Sequence, residues 1–314
     1  MTSPSDSKSQ PSSSSSQSQV VDISLVAWMV FLTSIWGLNA VTIKWLTMDI
    51  TPFMAAGLRG LLATVLLTLF GLWRRESLLF RGMELIHALV IGGMFGLEFA
   101  FIFFGAPFTT GGHVSIFVNT APFFVALGAH WFFPHERMHL VKLAGLVVAF
   151  AGVVVLFSDE LYVQQSGFWR GDLLVLCGAF MWGATTLYMK RYLVVTFSAF
   201  RLLYAQVLFS TIFLLGLSWA VEPEPFLHTS ETTWIILGFQ GVVVVCFSYL
   251  MWMHLLRFYQ ASAMQSFTFL TPVWGVLAGI VLLGERATVL LLLGMALVGA
   301  GLFLVSRPRK IKVA

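Results

Sequence analysis

Residues 119–158 read NTAPFFVALGAHWFFPHERMHLVKLAGLVVAFAGVVVLFS, and residues 271–306 read TPVWGVLAGIVLLGERATVLLLLGMALVGAGLFLVS. In the first stretch Pro122 stands in an apolar run that closes on Glu136-Arg137, with Gly145 nine residues after the Glu and Gly152 seven further on. In the second, Pro272, Glu285-Arg286, Gly294 and Gly301 repeat the order with the same nine and seven. One residue separates the copies, because Phe133-Pro134-His135-Glu136 stands where the other has Leu283-Gly284-Glu285. Working outward, Trp36-Gly37 precedes Lys44 and Trp182-Gly183 precedes Lys190, eight residues from Trp to Lys in both. A shared order of motifs at a fixed separation marks a tandem duplication.

The composition says where such a chain lives. Of 314 residues, 58% are apolar and 10% charged, with 30 Phe and 11 Trp, which excludes an ordinary soluble domain and points to a polytopic membrane protein. A helix crosses the hydrocarbon layer with about 20 mainly apolar residues, and such windows follow one another here. The alternating segments of about ten residues that a membrane β-barrel needs are absent. Cys177 and Cys246 both lie in apolar windows and suggest neither a disulfide framework nor a metal site.

The fold expected is an all-α membrane protein of ten transmembrane helices, arranged as two inverted-topology repeats of five. The spans fall at about 24–43, 53–72, 85–104, 109–132 and 141–157, then about 172–191, 200–219, 233–255, 261–283 and 287–305. Residues 1–22 are Ser- and Gln-rich and read as a disordered cytoplasmic tail with no cleaved signal. The first repeat is placed at 23–158, an external connecting loop at 159–170, the second repeat at 171–306 and a basic cytoplasmic tail at 307–314.

An odd number of spans per copy makes the second copy enter from the opposite side, and the loop charges agree. The loop between spans two and three carries Arg74, Arg75 and Arg81, and its counterpart carries Glu222, Glu224 and Glu231. With the amino terminus inside, only Lys44, Arg170 and Arg286 among the loop cations lie outside, while the remaining ones gather on the cytoplasmic side. The positive-inside rule therefore places both termini in the cytoplasm, in a multi-pass protein of the cytoplasmic (inner) membrane. Inverted repeats are a common way for secondary transporters to obtain two equivalent states.

At these residues the chain resembles the drug/metabolite transporter superfamily, in its EamA-type branch. The resemblance runs from about Ser24 to Ser306 and rests on Trp36-Gly37 to Lys44, Pro52 to Arg59, Pro122 to Glu136, Trp182-Gly183 to Lys190, and Pro272 to Gly301. It implies a ten-helix transporter, often an exporter of amino acids or other small metabolites. It also implies a central cavity lined mainly by helices 1, 3, 4, 6, 8 and 9, with 5 and 10 peripheral. Two features depart from the pattern: Pro134-His135 before Glu136, and Glu98 in helix 3.

Several residues inside the spans are candidates for transport. Arg59 and Glu98 fall at similar depth, roughly 10 Å from the same membrane surface at 1.5 Å per residue. A charge at mid-bilayer costs about 2.5–3.5 kcal/mol on insertion scales, so the two either form a structural ion pair or face a cavity. There Glu98 would bind a cationic group or a coupling proton. His113 is a candidate proton relay or an interfacial residue donating to a backbone carbonyl. Pro122 and Pro272, halfway along helices 4 and 9, free carbonyls at Val118 and Thr268 and make a matched pair of hinge candidates, the alternative being kinks needed only for packing. Asn119 is close enough to satisfy such a carbonyl or to face a solute. Trp36 with Asn39, and Trp182 with Thr186, occupy matched places in helices 1 and 6 and would suit aromatic or amphipathic solutes, or else pack between helices. Tyr249, Gln240, Gln206 and Gln265 complete the cavity candidates. Glu136 is read as a loop carboxylate, and the small residues four apart, such as Gly92/Gly96, as packing contacts.

The leading expectation is a secondary active transporter that exports small organic metabolites by alternating access. An exchanger for phosphorylated or nucleotide-linked sugars is the alternative, and an intramembrane enzyme or receptor the alternative of another class. There is no GxxxxGK[ST] loop, so ATP is not the direct driver within this chain. No cofactor is implied, proton coupling stays open, and the expected partners are a solute, the lipid bilayer and a second copy through peripheral helices, with no nucleic acid.

Overall fold

The computed structural model describes residues 21–158, 168–283 and 288–306. The expected amino-terminal tail, most of the connecting loop, Glu285-Arg286 and the basic carboxy-terminal tail lie outside the described residues. Within them run α1 (Ile23–Asp49), α2 (Pro52–Arg74), α3 (Met83–Phe108), α4 (Gly111–Phe132) and α5 (Leu140–Leu156), then α6 (Trp169–Leu193), α7 (Ala199–Val221), α8 (Glu231–Phe258), α9 (Ala261–Val281) and α10 (Val289–Ser306). Nine are long and apolar enough to cross a membrane; α5, with 17 residues, spans about 25 Å and is slightly short of a 30 Å hydrocarbon layer. Among the described residues no strand forms beyond an isolated bridge between Ile50 and Phe226.

Local chemistry explains where these helices begin. Asp22 accepts from the Leu25 amide at 2.8 Å, Thr110 from His113 and Ser198 from Arg201, each at 3.2 Å, supplying oxygen to amides with no intrahelical partner. Ser230 and Thr233 satisfy one another's amides as a capping box at α8. Pro52 opens α2, where its missing amide removes nothing.

Polar contacts at the two ends fix the direction of each helix. At the amino-terminal face, Tyr259 at the end of α8 donates to Asp22 before α1, and Lys142 at the start of α5 donates to Ser262 at the start of α9. Arg201 at the start of α7 pairs with Glu84 at the start of α3 at 3.0 Å on this same face. At the opposite face, Thr109 just before α4 meets Asp172 in the first turn of α6, and Asp49 at the end of α1 meets Thr233 of α8. The first five helices therefore set out from the amino-terminal face and the second five from the opposite one.

The two sets interlock. α5 lies along α10, α2 along α7, and the packing of α1 on α9 is matched by that of α6 on α4. Glycines let α5 and α10 touch backbone to backbone. A Cβ at Gly145 would stand 2.8 Å from the Gly301 carbonyl oxygen, and one at Gly152 would stand 2.7 Å from that of Gly294. Since Gly145 and Gly152 correspond in sequence to Gly294 and Gly301, each contact is the other with the two sets exchanged. Gly92 and Gly96 of α3 likewise admit Phe209 and Phe213 of α7.

Of the five tryptophans near the predicted span ends, Trp73, Trp131, Trp219 and Trp234 are exposed, as aromatic residues at membrane surfaces are, whereas Trp28 is partly buried against the core.

Candidate transport cavity

A cavity of about 230 Å³ lies where the two sets meet. Trp36 and Asn39 enter it from α1, Phe95, Glu98, Phe99 and Ile102 from α3, and Val118 from α4. The second set supplies Trp182, Thr185, Thr186 and Met189 from α6, Tyr249, Trp252 and Met253 from α8, and Thr271 from α9. These are the six helices that the family resemblance implied, and Gln206 adds α7 to them.

Two local distortions of the helices shape this wall. α6 ends in a wider π-helical turn over Met189–Leu193, and α8 carries another over Gln240–Ser248. Such turns release backbone groups from the regular ladder and are frequent at functional sites. The α8 turn presents Ser248, whose hydroxyl accepts from the Trp36 indole N–H at 2.8 Å and donates to the Val244 carbonyl oxygen. Trp36 is thereby fixed, its ring 5.5 Å from that of Trp252 and edge-on to Tyr249 at 6.3 Å. Phe95 stands edge-on to Tyr249 and to Phe99, at 5.9 and 5.0 Å. The apolar wall is a connected set of rings.

Glu98 is 6% exposed, and its Oε2 has no hydrogen-bond partner among the described residues. Arg59 does not supply one. Among the described residues the ion pairs within 4.0 Å are His113–Asp172 and Arg201–Glu84. The Arg59 guanidinium instead lies over the Phe99 ring, 4.6 Å from its centroid, and lines a separate small hollow with Thr47, Phe103 and Gln240. Of the two readings left open by the sequence, the close ion pair is not formed, and Phe99 stands beside the carboxylate and under the cation.

Glu98, Trp36, Asn39, Trp182, Thr186, Gln206 and Tyr249 thus come together around the cavity; five other candidates lie elsewhere. Arg59 and Gln240 line the separate hollow, the guanidinium over Phe99. His113 sits at the opposite face, its Nδ1 3.0 Å from both oxygens of Asp172 on α6. Asn119 turns back on its own helix, its Nδ2 donating to Ser115 O at 2.7 Å. Gln265 is fully buried near the amino-terminal face, away from the cavity lining.

The prolines interrupt their helices before their own positions. In α4 the regular turns stop at Val118 and resume at Ala121, and in α9 a tight 3-10 turn spans Phe267–Phe269. Thr120 donates to Phe117 O and Thr268 to Gln265 O, so side chains satisfy carbonyls close to those expected, although not those of Val118 and Thr268 themselves.

Glu136 overturns the reading of a loop carboxylate. The Pro134–Glu136 turn carries it back to α9, where it accepts from the amides of Ala261 and Ser262 at 3.1 and 3.0 Å and from the Ser262 hydroxyl at 2.7 Å. A carboxylate there caps the positive end of a helix. The Pro134-His135 insertion gives the chain the turn that reaches it.

A sequence model of the EamA-like transporter family matches residues 23–158 and, a second time, residues 169–307. The chain belongs to that family. It is therefore a membrane transporter rather than an enzyme. Among EamA-like relatives, it is 32% identical over 284 residues to the "Probable amino-acid metabolite efflux pump" of Salmonella typhimurium, covering 86% of this chain and 90% of the relative. It is 28% identical over 289 residues to the "Uncharacterized transporter YoaV" of Bacillus subtilis, covering 90% and 96%. A solved crystal structure at 18% identity superposes with a TM-score of 0.76 over 90% of this chain and 97% of that one, which shows the shared fold.

Sequence reasoning missed Phe95, Phe99, Trp252 and Asp172. In a chain with 30 Phe nothing local separates a ring at the cavity from one in the core. Asp172 did carry a signal, as an acid inside the first turn of an apolar window.

Proposed function

We propose that this EamA-like protein is a secondary active exporter of small organic metabolites, such as amino acids or related amphipathic and aromatic solutes, working by alternating access through the central cavity. The observation that carries the reading is Glu98, a buried carboxylate on the wall of that cavity with an oxygen left unpartnered. A buried polar group without a partner costs stability, and a solute or a proton that completes it accounts for its presence. Both five-helix sets supply the wall, so tilting one against the other would open the same residues to alternate faces. The breaks before Pro122 and Pro272 lie at matching places in the two sets and support hinge roles for both. Export is supported by the name of the Salmonella typhimurium relative, and a cytoplasmic location of both termini by the cations of the amino-terminal face. Energy would come from an ion gradient, with a proton taken up by Glu98, or from solute exchange. Exchange of phosphorylated sugars is not favoured, because the described lining residues include no Lys, Arg or His.

The test is flux in proteoliposomes across a panel of amino acids, amines and nucleosides, with and without an imposed pH gradient, for wild type and Glu98→Gln. Gradient-driven flux that the variant loses is expected. Flux that ignores the gradient in both would make the protein a facilitator or exchanger and remove Glu98 from coupling.

A further inference from the structure

We infer that the solute of this cavity is an organic amine: a cationic ammonium on an aromatic or apolar body, with no carboxylate. The inference rests on the reading of the cavity as the transport site and narrows it. Among the described lining residues the only group that ionises as an acid near neutral pH is Glu98, and none carries a positive charge. An ammonium entering would complement the wall. An amino acid would bring a second carboxylate into a space already holding one, with no cation in its lining.

The unpartnered polar atoms point the same way. Glu98 Oε2, Gln206 Oε1, Thr186 Oγ1 and Thr271 Oγ1 all lack hydrogen-bond partners among the described residues, and all four residues line this cavity. Every one of these atoms is an oxygen. The carboxylate and the amide oxygen can only accept, and hydroxyls accept as readily as they donate. An ammonium carries three N–H donors and no acceptor. A carboxylate would find only neutral donors on this wall, the amides of Asn39 and Gln206, the indoles of Trp182 and Trp252 and the Tyr249 hydroxyl, and none of them offsets the charge of a second carboxylate beside Glu98.

Arg59 is the cation that a carboxylate-bearing solute would need. It lies over the Phe99 ring and outside the cavity lining, close enough to attract Glu98 through space but not paired with it. The remaining wall is rich in rings, with Trp36, Trp182, Tyr249 and Trp252 offering faces that attract a cation and pack against a flat apolar body. A cavity of about 230 Å³ suits a small solute.

The experiment compares matched pairs that differ only in the carboxylate: phenethylamine with phenylalanine, and tryptamine with tryptophan. Binding to the purified full chain is measured by calorimetry, and flux is measured in proteoliposomes. At least tenfold tighter binding of each amine than of its amino acid is expected. Glu98→Gln should weaken the amine at least tenfold while leaving the neutral isostere 2-phenylethanol within twofold, and Glu98→Asp should keep the preference for amine. Elution as a single species and an unchanged unfolding midpoint show that each variant is folded. Amino acids bound as tightly as the amines would overturn the inference, as would amine binding that ignores Glu98→Gln. The two readings fail separately. Flux of amino acids without amines sinks this inference and keeps the transporter, whereas Glu98-dependent amine binding with no flux of any solute sinks the transport site and keeps the amine.

Discussion

Glu98 and Glu136 are buried almost equally, at 6% and 2% exposure, and they are opposites. Every contact that a carboxylate seeks is present around Glu136: two backbone amides, a hydroxyl and the end of a helix, with Lys142 bound to the same Ser262 at 2.5 Å. Glu98 has an oxygen with no partner, a ring beside it, and a guanidinium that lies over that ring instead of pairing with the carboxylate. Burial therefore does not separate a structural acid from a functional one; satisfaction does. A satisfied buried charge holds helices in register, whereas an unsatisfied one costs stability unless something else binds it.

The contrast is sharpest where each variant moves one readout and leaves the other. Glu98→Gln removes a charge that receives little from the protein, so its unfolding midpoint in detergent should stay within about 2 °C of wild type or rise. Loss of a charge-assisted bond to the solute, about 1.5–3 kcal/mol, should lower flux by roughly ten- to hundredfold. A variant that unfolds as readily as it loses flux would show Glu98 to be structural after all.

Glu136→Ala should do the reverse. It strands two amides and a hydroxyl at the start of α9 and leaves Lys142 without its neighbouring anion, a loss of about 3 kcal/mol. The expected sign is a fall in unfolding midpoint of about 5–10 °C, with flux per folded molecule nearly unchanged. Full stability of this variant would mean that the cap contributes nothing and that the comparison of the two acids has no energetic content.

The fold was legible from the duplication, because identical spacings of Glu and Gly, with a matched Pro ahead of them, record where helices break, turn and touch. Gly145 and Gly152 illustrate this: their matches in the second copy proved to be the residues they pack against. Residues on the cavity wall were legible when they broke an apolar run in matched places, as Trp36-Asn39 and Trp182-Thr186 do. Partnership was not. Depth along a helix put Arg59 level with Glu98, but the side of the helix from which each side chain leaves, and the ring of Phe99, decide what they meet. Glu136 lay in a short polar connection, which looks solvated in sequence, until the turn at Pro134 directs it onto a helix 125 residues away.

A smaller effect tests the wall itself. Trp36→Phe keeps a ring and removes the N–H that bonds Ser248, worth about 1 kcal/mol. Solute affinity should weaken about fivefold, because the ring that faces the solute is no longer held at a fixed angle. Ser248→Ala removes the other partner and should weaken binding by a similar amount, and the double variant should lose little more than either. Additive losses would show that the bond does not position the ring.

The smallest effect expected lies on the amino-terminal face. The Tyr259 hydroxyl reaches both oxygens of Asp22 at 3.1 and 3.2 Å, tying the start of α1 to the end of α8. Burial first, and then this hydrogen bond, push the phenol above its usual pKa. The contribution is therefore intact below about pH 10, the unfolded value, and is lost as pH rises through the folded one. Tyr259→Phe should cost about 0.5–1 kcal/mol, seen as a fall of roughly 1–3 °C in the unfolding midpoint at neutral pH that vanishes in strongly alkaline buffer. Like Glu136, this contact is satisfied in the structure, so flux per folded molecule should not change. If flux changes instead while the midpoint holds, the tie between α1 and α8 must break and reform during transport. Satisfaction would then mark a contact of one conformational state, and the capping of α9 by Glu136 on the same face would have to be tested as another.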